Sequence, residues 1–133
     1  MTGKPSIFIF DIDGTLASKD GPYLPMGEMA PKKGIVKIAL AAQKPEMGRM
    51  AIVTARPESA RGVTESWVEE HGLKPEFLLM RKTGDDRPDY DVRVDQVKEL
   101  IGKMGKNATL YDDKASNCKE VEKRLGIHCV HIK

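Results

Sequence analysis

Residues 7–16 read IFIFDIDGTL, an unbroken apolar run that ends in two aspartates and a glycine. A strand that is apolar at every position, rather than at every second one, is typical of a parallel sheet covered on both faces. Similar short apolar runs recur at residues 50–54, 77–80, 109–111 and 127–132. The pattern predicts an α/β fold with a parallel sheet of about five strands.

Helices are predicted between these strands, where apolar residues recur at intervals of three and four. A Gly- and Pro-rich loop at residues 14–31 leads into a helix around residues 35–42. The helix after strand two is predicted to begin at Pro57 and to end at Gly72. Its apolar stripe is formed by Val63, Trp67, Val68 and His71. A further helix carries Val94, Val97, Leu100, Ile101 and Met104, and the last carries Val121 and Leu125.

The chain has 133 residues, with 22 Lys and Arg against 20 Asp and Glu, which gives a formal net charge of +2. We expect one domain over residues 1–133, because a chain of this length can bury a sufficient core without metal or disulfide staples. The near-neutral charge excludes a strongly basic nucleic-acid coat protein, although a local basic patch remains compatible with it. Lysines at 32, 33, 37 and 44 could guide an anionic substrate, but a solvated helix face explains them more simply.

The apolar runs are far shorter than the roughly 20 residues that cross a bilayer. Residues 1–5 carry one Lys and lead directly into a strand that ends in acids, which is unlike a signal peptide. We therefore expect a cytoplasmic protein with no membrane segment. Cys118 and Cys129 do not form a CxxC pair, and we expect both to be reduced residues that pack in the interior.

Polar residues follow three of the predicted strands at the points where those strands end. Asp11 and Asp13 follow the first strand, Thr54 the second, and Asp112 with Asp113 the fourth. A single acid after a strand most often just terminates it. Three such ends favour a ligand site, because the carboxyl edge of a parallel sheet is where ligands bind.

Carboxylates brought within a few ångström repel one another unless a cation lies between them. Oxygen ligands without a nearby His or Cys favour Mg²⁺, which commonly shares a substrate phosphate with the protein. The arrangement indicates phosphoryl chemistry, in which Asp11 could attack phosphorus and Asp13 could serve as acid and base. Gly14 would allow a close turn, and Thr15 would bind phosphate oxygens.

The run DIDGTL at residues 11–16 resembles the first motif of the haloacid dehalogenase (HAD) superfamily of phosphatases. Thr54 resembles the second motif, whose hydroxyl holds the transferring phosphoryl group, and Asp112 with Asp113 resembles the fourth. The resemblance implies a Rossmann-like three-layer fold with strand order 5-4-1-2-3 and minimal or no cap. It also implies Mg²⁺ held by Asp11, the backbone carbonyl of Asp13, and Asp112, with support from Asp113.

A narrower likeness lies in residues 78–89, where LLMR is followed by GDDRPD. This segment, with the ARP at residues 55–57, is similar to the 3′-phosphatase domain of phage polynucleotide kinase and its small phage and bacterial relatives. The likeness implies that Arg56, Arg81, Asp85 and Arg87 frame the substrate side of the pocket. Arginine suits this role because its planar fork can donate two hydrogen bonds to one phosphate. Without the likeness, a solvated charged loop is an equally good interpretation.

The third motif departs from the family pattern, in which a Lys neutralises the nucleophile and the phosphate. The position that matches it here is Arg93, and Lys98 is the alternative. The two lie five residues apart on one predicted helix, so they cannot hold the same spot. We favour Arg93, which can supply the charge although its shape differs from that of Lys.

These features predict a Mg²⁺-dependent phosphomonoesterase that acts through an aspartyl-phosphate, most plausibly on polynucleotide 3′-phosphate ends. The segment between Leu16 and Met50 is too short for a helix and a sizeable cap, so we expect an open site. The alternatives are a nucleoside monophosphate phosphatase and a non-catalytic phosphate-binding module. The chain lacks a GxxxxGK[ST] loop, so any kinase or repair partner would be a separate protein. The oligomeric state is left open.

Overall fold

The computed structural model describes residues 6–19 and 24–133. The expectation for residues 1–5, and the middle of the loop predicted at residues 14–31, lie outside the described residues. Strands and helices alternate as β1 (Ile7–Asp11), α1 (Lys33–Ala42), β2 (Arg49–Pro57), α2 (Arg61–Glu70), β3 (Leu78–Arg81), α3 (Asp89–Met104), β4 (Ala108–Asp112), α4 (Ala115–Leu125) and β5 (His128–His131). Short 3₁₀ turns occupy Met26–Glu28 and Glu58–Ala60. Within the described residues, none of the helices has the length and apolarity to span a bilayer.

All five strands join one parallel sheet in the order β3-β2-β1-β4-β5. This is the predicted order read from the other edge, so the α/β prediction with strand order 5-4-1-2-3 is confirmed. β1 lies at the centre, where Asp11 pairs in register with Val53 of β2 and Phe10 with Tyr111 of β4. The carboxyl ends of β1, β2 and β4 therefore meet at one edge of the sheet.

The sheet separates two hydrophobic cores, which explains why β1 is apolar at every position. Ile7 and Ile9 face the core that contains α3 and α4. Phe8 and Phe10 face the opposite core, which contains α1 and α2. Because successive strand residues point to opposite faces, both sets must be apolar when both faces are covered. The three-layer arrangement follows directly from this pattern.

The helix after β2 begins later than predicted. β2 runs through Pro57 with an irregularity in its pairing to β3, and α2 begins at Arg61 after the 3₁₀ turn. The prediction that Val63 belongs to the buried stripe is wrong, since this residue is 45% exposed and the neighbouring Thr64 is buried instead. Trp67 is buried as predicted, and its indole N–H donates to the carbonyl of Met29 at 2.8 Å.

The expectation that both cysteines are reduced is also wrong. The structure joins Cys118 of α4 and Cys129 of β5 in a disulfide, with their Cα atoms 5.2 Å apart. α4 packs on β5, and this packing brings the two Cα atoms within the separation that a disulfide can bridge. The pairing could not be read from residue spacing alone, because it depends on how the last helix packs on the last strand.

Candidate active site

Three carboxylates meet at the carboxyl edge of the sheet. Asp11 ends β1, Asp112 ends the neighbouring β4, and Asp113 follows directly. One oxygen from each of the three lies within 4.8 Å of the others. Asp11 is 6% exposed and Asp112 is fully buried, so the cluster lies at the base of a crevice rather than on the open surface.

The guanidinium of Arg93, a residue of α3, contacts two carboxylates of this cluster. Its Nη2 donates to Oδ1 of Asp11 at 2.9 Å, and its Nη1 contacts Oδ2 of Asp112. Burial raises the pKa of Asp11 well above its usual range, Arg93 acts in the opposite direction, and Asp112 and Asp113 raise it further. For Arg93, burial lowers the pKa, but the Asp11 and Asp112 carboxylates outweigh it and keep the guanidinium charged.

Asp112 is held in place by groups of the following turn and helix. Its Oδ1 accepts a hydrogen bond from the backbone N–H of Lys114 at 2.9 Å. The side-chain amide of Asn117 donates to both carboxylate oxygens, at 3.3 and 3.1 Å. Asn117 was not anticipated from the sequence, although its position in the first turn of α4, directly after the strand that ends at Asp112, is a usable signal.

Asp113 lies against the turn that follows β1. Gly14 has φ of +86°, and a Cβ atom at this position would overlap the Asp113 carboxylate. A glycine is therefore required both by the backbone conformation and by the close approach. Oδ2 of Asp113 accepts from Lys19 at 3.2 Å, whereas Oδ1 is buried without a hydrogen-bond partner among the described residues.

The cluster has the composition and spacing of a hard-cation site. All the donors are carboxylate oxygens, and one buried oxygen of Asp113 has no partner in the described part of the chain, which is costly unless a cation or water satisfies it. Asp11, Asp112 and Asp113 would hold the ion. The side chain of Asp13 is outside this group, so the predicted contribution of Asp13 would have to come from its backbone carbonyl.

Asp13 is paired with Arg56 across the mouth of the crevice. Nε and Nη2 of Arg56 donate to the two oxygens of Asp13 at 2.9 and 2.7 Å, which is the bidentate geometry that fixes a carboxylate most firmly. The Asp13 side chain keeps 26% of its surface exposed. Arg56 therefore lies in the crevice, where its guanidinium orients Asp13.

The two predicted threonines also lie at this edge. The Thr15 hydroxyl donates to Oδ2 of Asp11 at 3.3 Å. Thr54 is fully buried, and its hydroxyl oxygen accepts from the backbone N–H of Arg56 at 3.0 Å. The Thr15 hydroxyl therefore contacts the Asp11 carboxylate, and the Thr54 hydroxyl contacts the backbone of β2 two residues further along.

A crevice of about 250 Å³ opens above the acid cluster. The residues that line it and that the sequence predicted are Asp11, Asp13, Arg56, Arg93 and Asp113. Lys19, Asp89, Lys114 and Asn117 also line it and were missed. The Lys114 ammonium contacts the Asp89 carboxylate. Lys114 follows the two acids of the fourth motif directly, and that proximity is the signal that could have identified it.

Arg81, Asp85 and Arg87 lie outside this crevice, along a separate one of about 300 Å³. Arg81 donates to the carbonyls of Ala55, Asp85 and Arg87 at 3.2, 2.9 and 2.8 Å, and it also contacts Asp89. Its guanidinium therefore holds the loop after β3 together. Arg87 pairs with Asp85, and its hydrogen bonds lower the pKa of Asp85 to about 2.

The alternative for the third motif, Lys98, lies on the exposed side of α3. Arg93 is 2% exposed and contacts two of the three clustered acids. The difference follows from helical geometry, since five residues rotate a side chain well away from its starting face. Of the two candidates, Arg93 is the one that the fold brings to the acids.

A parallel sheet whose central strand ends in DxDGT, with two further acids at the end of the adjacent strand, defines a phosphatase of the HAD type. The model of the polynucleotide kinase PNKP phosphatase domain family matches residues 5–133, and the chain belongs to this family. No curated protein matches the chain.

Several solved structures share this fold. A structure of the Pnkp1/Rnl/Hen1 complex superposes with a TM-score of 0.80 at 24% identity, over 99% of this chain and 47% of that one. A second, described as the Pnkp1/Rnl/Hen1 RNA repair complex, gives 0.79 at 23%, over 97% and 42%. The chain thus spans less than half the length of these two. A HAD family enzyme from Bacteroides thetaiotaomicron, in complex with magnesium and inorganic phosphate, gives 0.59 at 15%, over 97% and 94%.

Proposed function

We propose that this phosphatase is Mg²⁺-dependent, acts through an aspartyl-phosphate on Asp11, and removes phosphate from polynucleotide 3′ ends. The observation that carries the proposal is the meeting of Asp11, Asp112 and Asp113 around one position, with Arg93 against the nucleophile. When bound, Mg²⁺ would neutralise the three acids and the substrate phosphate.

In the proposed reaction a carboxylate oxygen of Asp11 attacks phosphorus as the ester P–O bond breaks. Once released from Arg56, Asp13 takes up a proton from solvent and passes it to the leaving oxygen, and the phosphoryl group remains on Asp11. Asp13 then removes a proton from water, which attacks the acyl-phosphate, releases inorganic phosphate and restores the Asp11 carboxylate. Arg93 and Thr54 stabilise charge on the phosphoryl group during both transfers.

Asp13 can take part only after its pairing with Arg56 loosens, because both carboxylate oxygens accept from that guanidinium. A substrate phosphate entering the crevice offers Arg56 the same bidentate partner. We infer that the Arg56 guanidinium moves from the Asp13 carboxylate to the substrate phosphate oxygens. This exchange releases Asp13 for proton transfer. This exchange reconciles the predicted substrate role of Arg56 with its observed contact.

The preference for a nucleic-acid end is supported by the shape of the site and by the family. Between β1 and β2 the described residues form only a 3₁₀ turn and α1, and between β2 and β3 only a 3₁₀ turn and α2. A small cap leaves the crevice accessible to a bulky substrate. The second structure named above is described as an RNA repair complex, which supports a repair partner for this chain.

A substrate comparison tests the choice of ester. We expect kcat/KM for a 3′-phosphorylated oligonucleotide to exceed that for free nucleoside 3′-monophosphates by at least about tenfold, because added phosphodiester contacts contribute binding energy. Phosphate release would be measured for both with and without Mg²⁺. A preference for the free nucleotides would favour the alternative of a nucleotide phosphatase. Saturable phosphate binding without turnover on any ester would favour a non-catalytic module.

A basic crevice of about 370 Å³ adjoins the acid cluster. It could bind the part of a polynucleotide substrate that lies beyond the 3′-phosphate. It shares Lys19 and Asp113 with the catalytic crevice and adds Lys32, His131 and Lys133. The ammonium of Lys32 donates to the carbonyls of Gly14 and Lys133, at 3.2 and 3.4 Å. Lys32 therefore places a positive charge beside the catalytic crevice, where it can meet a phosphodiester.

Replacing Lys32 by Met is expected to raise KM for the 3′-phosphorylated oligonucleotide about three- to tenfold, and to reduce the salt dependence of that KM, because one phosphate contact is lost. Turnover of an aryl phosphate should stay within twofold of wild type. Lys33→Met is the matched control, since Lys33 is an exposed lysine at the start of α1. An equal effect of both substitutions would contradict a specific role for this crevice.

A further inference from the structure

Gln96 is a buried amide of α3 that lies one helical turn after Arg93. Its Oε1 accepts a hydrogen bond from Nε of Arg93 at 3.0 Å. Its Nε2 donates to the backbone carbonyl of Thr54 at 2.9 Å and to that of Leu79 at 3.3 Å. The side chain therefore connects the third-motif arginine to the backbones of β2 and β3.

The hydrogen-bond partners determine which way this amide points. Carbonyl oxygens can only accept, so the group facing Thr54 and Leu79 must be the NH₂. The Nε–H of an arginine can only donate, so the group facing Arg93 must be the oxygen. The reversed amide would set acceptor against acceptor and donor against donor. The contact with Arg93 is thus satisfied in one orientation alone.

Arginine differs from lysine at this position by having an Nε–H to be satisfied. In this structure the guanidinium donates from Nε to Gln96, from Nη2 to Asp11 and from Nη1 to Asp112. Three acceptors around a rigid planar group fix both its position and its plane. A lysine ammonium has no counterpart of Nε and would not need Gln96.

We propose that Gln96 is a positioning residue that sets the plane of Arg93 against Asp11, so that an arginine can act where the motif resembles one with lysine. The inference rests on the proposed phosphatase function. Gln96 does not touch the reacting atoms; it acts through Arg93. The same amide donates to the carbonyl of Thr54, so it also fixes the position of Arg93 relative to β2.

A double-mutant cycle separates this role from simple packing. We expect Gln96→Met to lower kcat for an aryl phosphate about 10- to 100-fold, the loss expected for one hydrogen bond to a charged group, with KM within about threefold. In an Arg93→Lys background, the same change should lower kcat less than about threefold. Equal losses in both backgrounds would show that Gln96 only holds β2 and β3 together, and would overturn the proposal.

The controls keep the two proposals distinguishable. If the wild-type protein showed no Mg²⁺-dependent phosphate release, the proposed function would be contradicted. If the wild type were active but Gln96→Met lowered kcat equally in the wild-type and Arg93→Lys backgrounds, only the role of Gln96 would be contradicted. Gln43→Met is the matched substitution, because Gln43 also bridges backbone groups, accepting from Lys74 and donating to Gly72 on the surface. It should leave kcat within twofold of wild type.

A second measurement uses the unmodified protein and does not depend on whether Gln96→Met folds. At 14.8 kDa the chain suits nitrogen–proton NMR of arginine side chains. We expect one Nε–H signal, identified by its loss in Arg93→Lys, that exchanges slowly with solvent because it is buried and hydrogen-bonded. An Arg93 Nε–H that exchanges as fast as those of surface arginines would overturn the proposal.

Discussion

Asp11→Asn is expected to abolish phosphate release from an aryl phosphate, with a fall in kcat of at least about 1,000-fold. An amide is a poor nucleophile and cannot form the acyl-phosphate. The fold should survive, because Asn has nearly the same shape, Arg93 keeps Asp112 as its partner, and the repulsion of Asp11 by Asp112 and Asp113 is removed. We expect the melting temperature to stay within a few degrees of wild type or to rise.

The measurement is steady-state kinetics with thermal melts, together with trapping of a hydroxylamine-labile phosphoprotein in wild type. Asp91→Asn is the matched control, since Asp91 pairs with Arg124 at the surface of α3 and should leave kcat within twofold. Near-normal turnover of Asp11→Asn would contradict the assignment of the nucleophile. Loss of folding together with activity would show up in the melts.

Arg93→Met is expected to have the second-largest effect, on stability as well as on rate. The change leaves Asp11 and Asp112 as buried carboxylates without their cation, which costs about 3–5 kcal/mol. For a chain of this size we expect the melting temperature to fall by about 10–20 °C. Loss of the positive charge should also lower kcat about 100- to 1,000-fold.

Addition of Mg²⁺ provides the sharper measurement. In wild type, Arg93 already neutralises two of the acids, so bound metal should raise the melting temperature modestly. In Arg93→Met the metal becomes the principal cation in the cluster, and we expect a larger increase in melting temperature at the same Mg²⁺ concentration. Arg93→Lys, which keeps the charge, should behave more like wild type. An equal Mg²⁺ response in all three proteins would place the ion elsewhere.

The positions of the clustered acids could be predicted because they follow from local pattern and one general rule. The apolar runs locate the strands, the residues after them are polar, and the carboxyl ends of adjacent parallel strands lie side by side. Asp11 and Asp112 therefore had to meet once β1 and β4 were neighbours. The spacing of Arg93 and Gln96 on one helix also holds a readable signal, because residues three apart share a helix face.

The pairing of the other charged side chains could not be predicted in the same way. Arg81 resembled a phosphate ligand, yet its donors go to carbonyls of its own loop and of β2. Lys114 is separated from Asp89 by 25 residues and meets it only because α3 and α4 pack together. The disulfide is decided by the same kind of contact between α4 and β5.

By itself, then, the sequence determined which residues form the sheet, which acids stand at its edge and what class of chemistry they can perform. Periodicity and strand ends act over a few residues and leave a readable mark. The tertiary structure alone decided that Arg56 holds Asp13, that Arg81 reaches the carbonyl of Ala55, and that Lys114 contacts Asp89. Such pairings join residues that are far apart in the sequence, so they depend on how the helices and strands pack. A long flexible side chain has several partners within reach, and differences of an ångström decide which one it contacts.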